Sequence, residues 1–248
     1  MLKIIVHGLG RLGLSVCKLA TESDEFQVVA GVAKTQKTGF DFPVHMDMAL
    51  CPAADVVVDC SVASAVDELV AYALDKKTPA IICTTALDDK TFRFMHEAAK
   101  VIPIFFSANM ALGVNLMARL SRLAAAALSD VGFDIEIIEK HHSGKVDAPS
   151  GTANMLAGSI IDTLGGKNIV YDRTGRLQKR GADEIGVSTI RGGSIFGEHT
   201  VLFAGEGETL EIKHTALTRE VFAHGVLRAA KFVAAKPAGL YGMDDLLQ

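Results

Sequence analysis

A largely apolar run, Leu2-Lys3-Ile4-Ile5-Val6-His7, opens the chain and gives way at once to Gly8-Leu9-Gly10-Arg11-Leu12-Gly13. This is the spacing G-x-G-x-x-G, set between a strand pattern and a helix pattern. In that setting each glycine has a task. Gly8 permits a tight turn, Gly10 lets backbone approach a pyrophosphate, and Gly13 lets helix and strand pack closely. The helix start adds N–H donors and the positive end of the helix dipole. A tight strand-to-helix turn without a ligand would use the same glycines. The strand before and the helix after favour a dinucleotide, with Gly8, Leu9, Gly10, Arg11, Leu12 and Gly13 as its contacts.

The next hundred residues repeat the strand–helix alternation. Residues 2–7, 26–33, 55–60, 80–84 and 104–106 read as short buried strands, and 12–22, 65–76 and 91–100 as helices. Apolar strands alternating with helices imply a parallel sheet covered on both faces, a Rossmann-like, doubly wound α/β domain. The rhythm changes after Asn109. A helix at 113–128 precedes residues 133–139, which alternate with period two. A helix at 150–164 and strand-like runs at 186–191, 199–204 and 209–214 follow. This predicts a second α+β domain with an open mixed sheet, polar on one face. Residues 165–181, rich in Gly, Lys and Arg, read as a long loop, and 220–235 as a helix that returns to the first domain. The expected division is a dinucleotide-binding domain at 1–110, completed by 216–248, and a second, substrate-binding domain at 111–215.

The 248 residues hold 25 basic and 29 acidic side chains, net −4, with 49% hydrophobic residues. Such a chain is an ordinary globule with no global attraction for nucleic acid or acidic membranes, so any anion must be held locally. No stretch approaches the roughly 20 apolar residues of a membrane span, and the N-terminus enters a strand with no signal-peptide pattern. A cytoplasmic protein with no nucleic-acid or membrane partner is expected. Cys17, Cys51, Cys60 and Cys83 form no Cys-x-x-Cys pair and read as reduced, structural thiols.

An acidic residue at the end of the second strand would grip the ribose hydroxyls of NAD. Here the sequence is Ala33-Lys34-Thr35-Gln36-Lys37. Lys34 or Lys37 would attract a 2′-phosphate, so NADPH is expected to bind at least as well as NADH; as a plain solvated loop the same lysines would carry no such preference. Cys83-Thr84-Thr85 and Ser107-Ala108-Asn109-Met110 stand where strand ends should face the cofactor. Either segment could equally be ordinary turn chemistry.

The stretch from Glu139 to Ala153, Glu-Lys-His-His-Ser-Gly-Lys-Val-Asp-Ala-Pro-Ser-Gly-Thr-Ala, carries the most chemistry. Ser150-Gly151-Thr152 at a helix start makes a second anion cradle. His141, His142 and Lys145 crowd three potential cations together, and their repulsion should lower proton affinity and leave a histidine ready to donate. The residues have no usual zinc-ligand spacing, so no metal is expected. A solvated charged turn is the plain alternative.

This stretch resembles the signature of the dihydrodipicolinate reductase (4-hydroxy-tetrahydrodipicolinate reductase) family, approximately E-x-H-H-x-x-K-x-D-A-P-S-G-T-A. The likeness extends through the glycine turn, the run from Ser107 to Asn115, Ile190-Arg191-Gly192-Gly193, Gly197-Glu198-His199, and Lys236-Pro237-Ala238-Gly239-Leu240-Tyr241. It implies His141 as the general acid and Lys145 as its catalytic assistant. It implies substrate contacts at His142, Lys145, Gly151 and Thr152, to which the helix-start reading adds Ser150. Cofactor contacts are implied at Gly8 to Gly13, at Cys83, Thr84 and Thr85, and at Ala108, Asn109, Met110 and Ala111; the second-strand reading adds Lys34. Cys83 departs from the glycine often found there. A homotetramer joined through the second-domain sheets is implied too.

The activity implied is NADPH- or NADH-dependent reduction of a cyclic imine dicarboxylate in lysine and diaminopimelate biosynthesis, with hydride delivered to ring C4 and a proton from His141. Two other readings stay open. A dinucleotide-sensing protein would keep the glycines without needing the His-His-x-x-Lys cluster. A different amino- or hydroxy-acid dehydrogenase would run readily in reverse.

Overall fold

A computed structural model describes residues 1–171 and 173–248. Two compact units divide the chain, one of Met1–Leu112 with Arg219–Gln248, the other of Gly113–Thr218.

The first unit opens with β1 (Leu2–His7), α1 (Arg11–Thr21), β2 (Phe26–Val32), β3 (Val44–His45), β4 (Val56–Asp59), α2 (Ala63–Lys76), β5 (Ala80–Ile82), α3 (Asp89–Ala98) and β6 (Pro103–Phe106). The second holds α4 (Leu112–Leu128), β7 (Asp134–His141), α5 (Gly151–Leu164), β8 (Asn168–Val170), β9 (Glu184–Arg191), β10 (Gly197–Ala204) and β11 (Thr209–Ala216). The chain then adds α6 (Glu220–Ala234), β12 (Gly239–Tyr241) and α7 (Met243–Leu246) to the first unit.

The first sheet is parallel throughout, in the order β12-β6-β5-β4-β1-β2-β3. Its strands are apolar on both faces because both are covered. Ile4 and Val6 pack with Val16 of α1 and Val226 of α6, while Ile5 packs with Leu69 of α2 and Met95 of α3. All seven are within 1% of full burial, and each such side chain stabilises the fold by roughly 1.5–3 kcal/mol. The strand order turns back between β1 and β4, so their C-terminal ends, with the glycine turn between them, border the crevice where doubly wound sheets take ligands. The Rossmann-like class predicted from the strand–helix rhythm is the one observed. β3 and β12 are additions at the two edges.

The second sheet runs β11-β10-β7-β9-β8. β10 is antiparallel to β7 and β11, whereas β9 is parallel to β7 and β8. It is the open mixed sheet expected. One face carries Ile135, Ile137, Val187, Val201 and Phe203 against Leu156 and Ile160 of α5 and Met117 of α4.

The segment 165–181 is not wholly a loop, since Asn168–Val170 pairs with β9 as β8. Residue 172 lies outside the described residues. Arg173 binds Glu184 at 2.5 Å and Glu136 at 3.2 Å, and Arg180 binds Asp134 at 2.6 Å and Glu136 at 3.1 Å. The basic residues that marked the segment as a loop therefore tie it to the acidic side chains of β7 and β9. Among the described residues no helix is long and apolar enough to cross a membrane.

Candidate active site

In the second unit the chemistry sits at the end of β7. Alternation puts Ile135, Ile137 and Glu139 on the same face, so the strand's buried phase ends on a carboxylate. Glu139 is fully buried, and its oxygens are all used. Arg191 of β9 grips both, Nη1 donating to Oε2 at 2.9 Å and Nη2 to Oε1 at 2.8 Å. The Ser150 N–H donates to Oε1 at 3.1 Å, and His141 Nδ1 lies 2.5 Å from Oε2. Burial raises the proton affinity of this carboxyl, but Arg191, His141 and the Ser150 N–H together outweigh it and hold the group below the usual carboxylate range.

The His141 ring is pushed below its ordinary histidine value, first by burial, with the charges of Lys145 and Arg191 adding to the effect and Glu139 opposing it. The crowding of cations expected from the sequence is thus only the lesser cause. The run supplies its own compensation: Lys145 Nζ binds Asp147 at 2.7 and 2.9 Å, and Glu139 serves His141. The chain turns at 142–145, where the Lys145 N–H donates to the His142 carbonyl at 3.1 Å and the Ser143 N–H to that of Gly193 at 3.2 Å. His142 lies half-buried on this turn.

Ser150 caps α5, its hydroxyl accepting from the Ala153 N–H at 3.1 Å. The same oxygen lies 2.8 Å from His199 Nε2 and is 2% exposed. Its hydroxyl is therefore occupied by protein on both sides. What the helix start offers instead is backbone: Gly151 is exposed, and a Cβ added there would meet nothing within 4 Å. Thr152, half-buried, follows it in the first turn. His199, pushed down to about 4 chiefly by burial, stands edge-on to His141 with ring centroids 5.2 Å apart.

In the first unit the glycine turn divides by role. Gly8 has φ +91°, and a Cβ on it would lie 2.5 Å from the Cys60 carbonyl. A Cβ on Gly13 would lie 2.0 Å from the Gly8 carbonyl. A Cβ on Gly10 would meet nothing within 4 Å. Gly10 is also the cap position of α1 and supplies no side chain, so the first-turn N–H groups are not capped from there. Two glycines close the turn on itself and the third keeps a space open over uncapped donors, which is the shape a pyrophosphate requires.

The other cofactor candidates separate into side chains and backbone. Leu9, Cys83, Met110 and Ala111 are buried in the core, so they present only main chain. Thr84 is buried as well, while Arg11, Lys34, Thr85 and Ala108 are exposed. Asn109 Oδ1 accepts from the Ala111 N–H at 2.9 Å, and Ser107 Oγ donates to the Asn109 carbonyl at 2.7 Å, so this turn is held by its own side chains. Lys37 reaches back to donate to the Leu9 carbonyl at 2.7 Å.

Sequence reading did not single out Asp59, Arg191 or His199. Asp59, fully buried at the end of β4, accepts from the Ser61 N–H at 3.0 Å and the Thr84 N–H at 3.2 Å, which links two of the strand ends. Its signal was a carboxylate closing the apolar run Val56-Val57-Val58. Arg191 and His199 lay within motifs that carried the resemblance, but their partners are distant in sequence.

Comparison with known proteins bears on both units. Residues 2–110 match the family model described as dihydrodipicolinate reductase, N-terminus, and residues 113–247 match that described as dihydrodipicolinate reductase, C-terminus. The chain belongs to the dihydrodipicolinate reductase family. Among curated members, the 4-hydroxy-tetrahydrodipicolinate reductase of Caldanaerobacter subterraneus subsp. tengcongensis is 47% identical over 251 residues, covering 100% of this chain and 99% of that protein. The protein of the same name from Clostridium novyi is 41% identical over 250 residues, with 100% and 99% covered. In fold, the chain is similar to a dipicolinate-bound dihydrodipicolinate reductase from Paenisporosarcina sp. TG-14, at a TM-score of 0.83 and 24% identity over 99% of each chain.

Proposed function

We propose that this member of the dihydrodipicolinate reductase family reduces 4-hydroxy-tetrahydrodipicolinate to tetrahydrodipicolinate with NADPH or NADH. The observation that carries the reading is the end of β7, where a half-buried imidazole hydrogen-bonded to Glu139 and a lysine adjoin a helix start whose first turn is open at Gly151.

A bound reduced nicotinamide would supply hydride to the ring C4 of the substrate. The residues that would hold it are those of the glycine turn, with the main chain at 83–85 and 108–111. Lys34 and Lys37 would favour a 2′-phosphate, so NADPH binds at least as well as NADH. His141 holds the proton that the adjacent ring carbon takes up, and Lys145 stabilises the charge that develops there. The substrate's two carboxylates are held by separate anchors: the N–H groups and Thr152 hydroxyl at the start of α5, and the His142/Lys145 pair. Ser150 serves by fixing the helix start rather than by touching substrate. Assembly as a homotetramer through the second sheet, and work in the cytoplasm, belong to the same proposal.

The test is a coupled assay in which the imine is generated in place and nucleotide oxidation is followed by the loss of reduced-nicotinamide absorbance with each cofactor in turn. Oxidation that requires the imine supports the reading. Equal oxidation without it, or none with either nucleotide, refutes it.

A further inference from the structure

Beyond the groups that would touch substrate, Glu139 is, among the described residues, the one carboxylate joined to His141, and its surroundings show more than a structural filling. It is fully buried, held in a two-pronged grip by Arg191, and aimed at Nδ1 of the ring. Every contact to it comes from a different part of the unit: β7 itself, β9 through Arg191, and the start of α5 through Ser150. Such a carboxylate cannot rotate away without breaking all of them.

We infer that Glu139 is the positioning residue of the reaction, fixing His141 as the Nδ1–H tautomer and keeping Nε2 as the nitrogen that gains and gives the proton. The inference rests on the reductase reading for its link to turnover, but its physical content is a statement about one hydrogen bond. An ionised carboxylate can only accept, so Nδ1 must donate, and the ring's lone pair then lies on Nε2. Gly197 of β10 packs against that edge of the ring. A Cβ there would stand 3.2 Å from Nε2 and press on the ring, so the glycine spares His141 that contact.

The charge balance around the ring decides the second consequence. The groups facing His141 are Glu139 on its own strand, Arg191 on β9, His199 on β10, and Lys145 on the following turn, itself paired with Asp147. Arg191 and Lys145 oppose protonation of the ring, as burial does, and His199 is uncharged near neutral pH. Glu139 is the sole favourable charge among them. Without it an imidazolium would face two cations in a half-dry site, and the acid form needed for proton donation would be scarce at neutral pH.

The experiment uses the full chain labelled with 15N-histidine. In the native protein the neutral His141 ring is expected as the Nδ1–H tautomer, with Nε2 the titrating nitrogen. In Glu139→Gln, nearly the same shape without the charge, the His141 titration is expected to fall by about 1–2 pH units, the range set by loss of one adjacent opposite charge. Turnover at pH 7 then falls about 10- to 100-fold and recovers as pH is lowered, while nucleotide affinity stays the same. A merely structural Glu139 would lower turnover equally at every pH and leave the titration unmoved, and that result overturns the inference. So does an Nε2–H tautomer in the native protein, a measurement that decides the matter even if the variant fails to fold. A native enzyme that shows the Nδ1–H tautomer but no imine-dependent oxidation would refute the reductase reading alone.

Discussion

Substituting alanine at each glycine of the first turn in parallel separates a ligand-binding turn from one that is merely tight. The two outcomes follow from where the added methyl would go. In Gly13→Ala the Cβ would sit 2.0 Å from the Gly8 carbonyl, a backbone atom that cannot rotate aside, so helix and turn must separate. Overpacking of this kind costs typically 1–3 kcal/mol or more. Gly8→Ala meets the Cys60 carbonyl at 2.5 Å and must also hold φ +91°, adding strain of about 1–2 kcal/mol. Gly10→Ala is different. Its φ of −86° and ψ of −160° suit any residue, and among the described residues nothing beyond its two chain neighbours lies within 4 Å of the new methyl. Loss of unfolded-state freedom favours alanine by about 0.4–1 kcal/mol, and the poorer helix cap disfavours it by a similar amount, so stability changes by no more than about 0.5 kcal/mol. The methyl does fill the space proposed for pyrophosphate. Thermal melts are therefore expected to leave Gly10→Ala within about 2 °C of the native protein while the other two drop well below it. Fluorescence titration with NADPH is expected to show at least a 10-fold weaker affinity for Gly10→Ala. Native affinity in that variant would refute the assignment of the turn to a dinucleotide.

His141→Ala is expected to lower turnover about 10²- to 10⁴-fold in the coupled assay, the usual worth of a general acid, with NADPH affinity unchanged in direct titration. Ser150→Ala removes the α5 cap and leaves His199 Nε2 without its partner, so a loss of about 1 kcal/mol and a melting point lower by about 2–4 °C are expected in calorimetry. Acid should weaken the fold in two separable windows. His199 has its folded-state pKa lowered from 6.5 to about 4, so between those values the unfolded chain binds a proton that the native one does not, and stability falls as pH falls. Urea midpoints followed over that range should lose part of their slope in His199→Asn. Glu198, lowered from 4.5 to about 2 by Lys140 and then Lys213, adds stability that is present above pH 4.5 and disappears toward pH 2. Glu198→Gln should flatten this lower window only.

Sequence reading reached the parallel sheet because β1, β4 and β5 are buried on both faces and so read as unbroken apolar runs. β3 and β12 escaped because two or three residues at a sheet edge show no period, and their pairing with β2 and β6 depends on partners far along the chain. β8 was hidden among Gly, Lys and Arg. In the candidate site, His141 and Lys145 were legible as residue types in a tight cluster. Their compensating acids lay in the same stretch, and what local sequence could not tell was which acid would meet which base. The fork of Arg191 onto Glu139 spans 52 residues and exists only through the β7–β9 register. One signal was available: Glu139 keeps the inward phase of Ile135 and Ile137, and a charge at an inward position must find a partner. Ser150 shows the opposite case, where the residue type was read correctly as a cap but its hydroxyl is spent on Ala153 and His199.

The Glu139–Arg191 pair is hard to account for by stability. Taking both charges out of water is costly, and apolar replacements for buried ion pairs are often neutral or stabilising by about 1–4 kcal/mol. The strand already supplies the apolar solution, since Ile135 and Ile137 fill the same face one and two steps earlier. A third isoleucine at 139 would extend the core of α5 and β7, but with Arg191 left in place it would strand that guanidinium without its partner. It would also leave His141 with two nearby cations and no anion, and it would unfasten the Ser150 N–H from the carboxylate that holds it. The pair therefore joins two requirements that an apolar residue cannot meet together: an oriented, protonatable imidazole at the strand end, and a helix start anchored next to it. On the proposed reading, both serve proton donation to a bound anion.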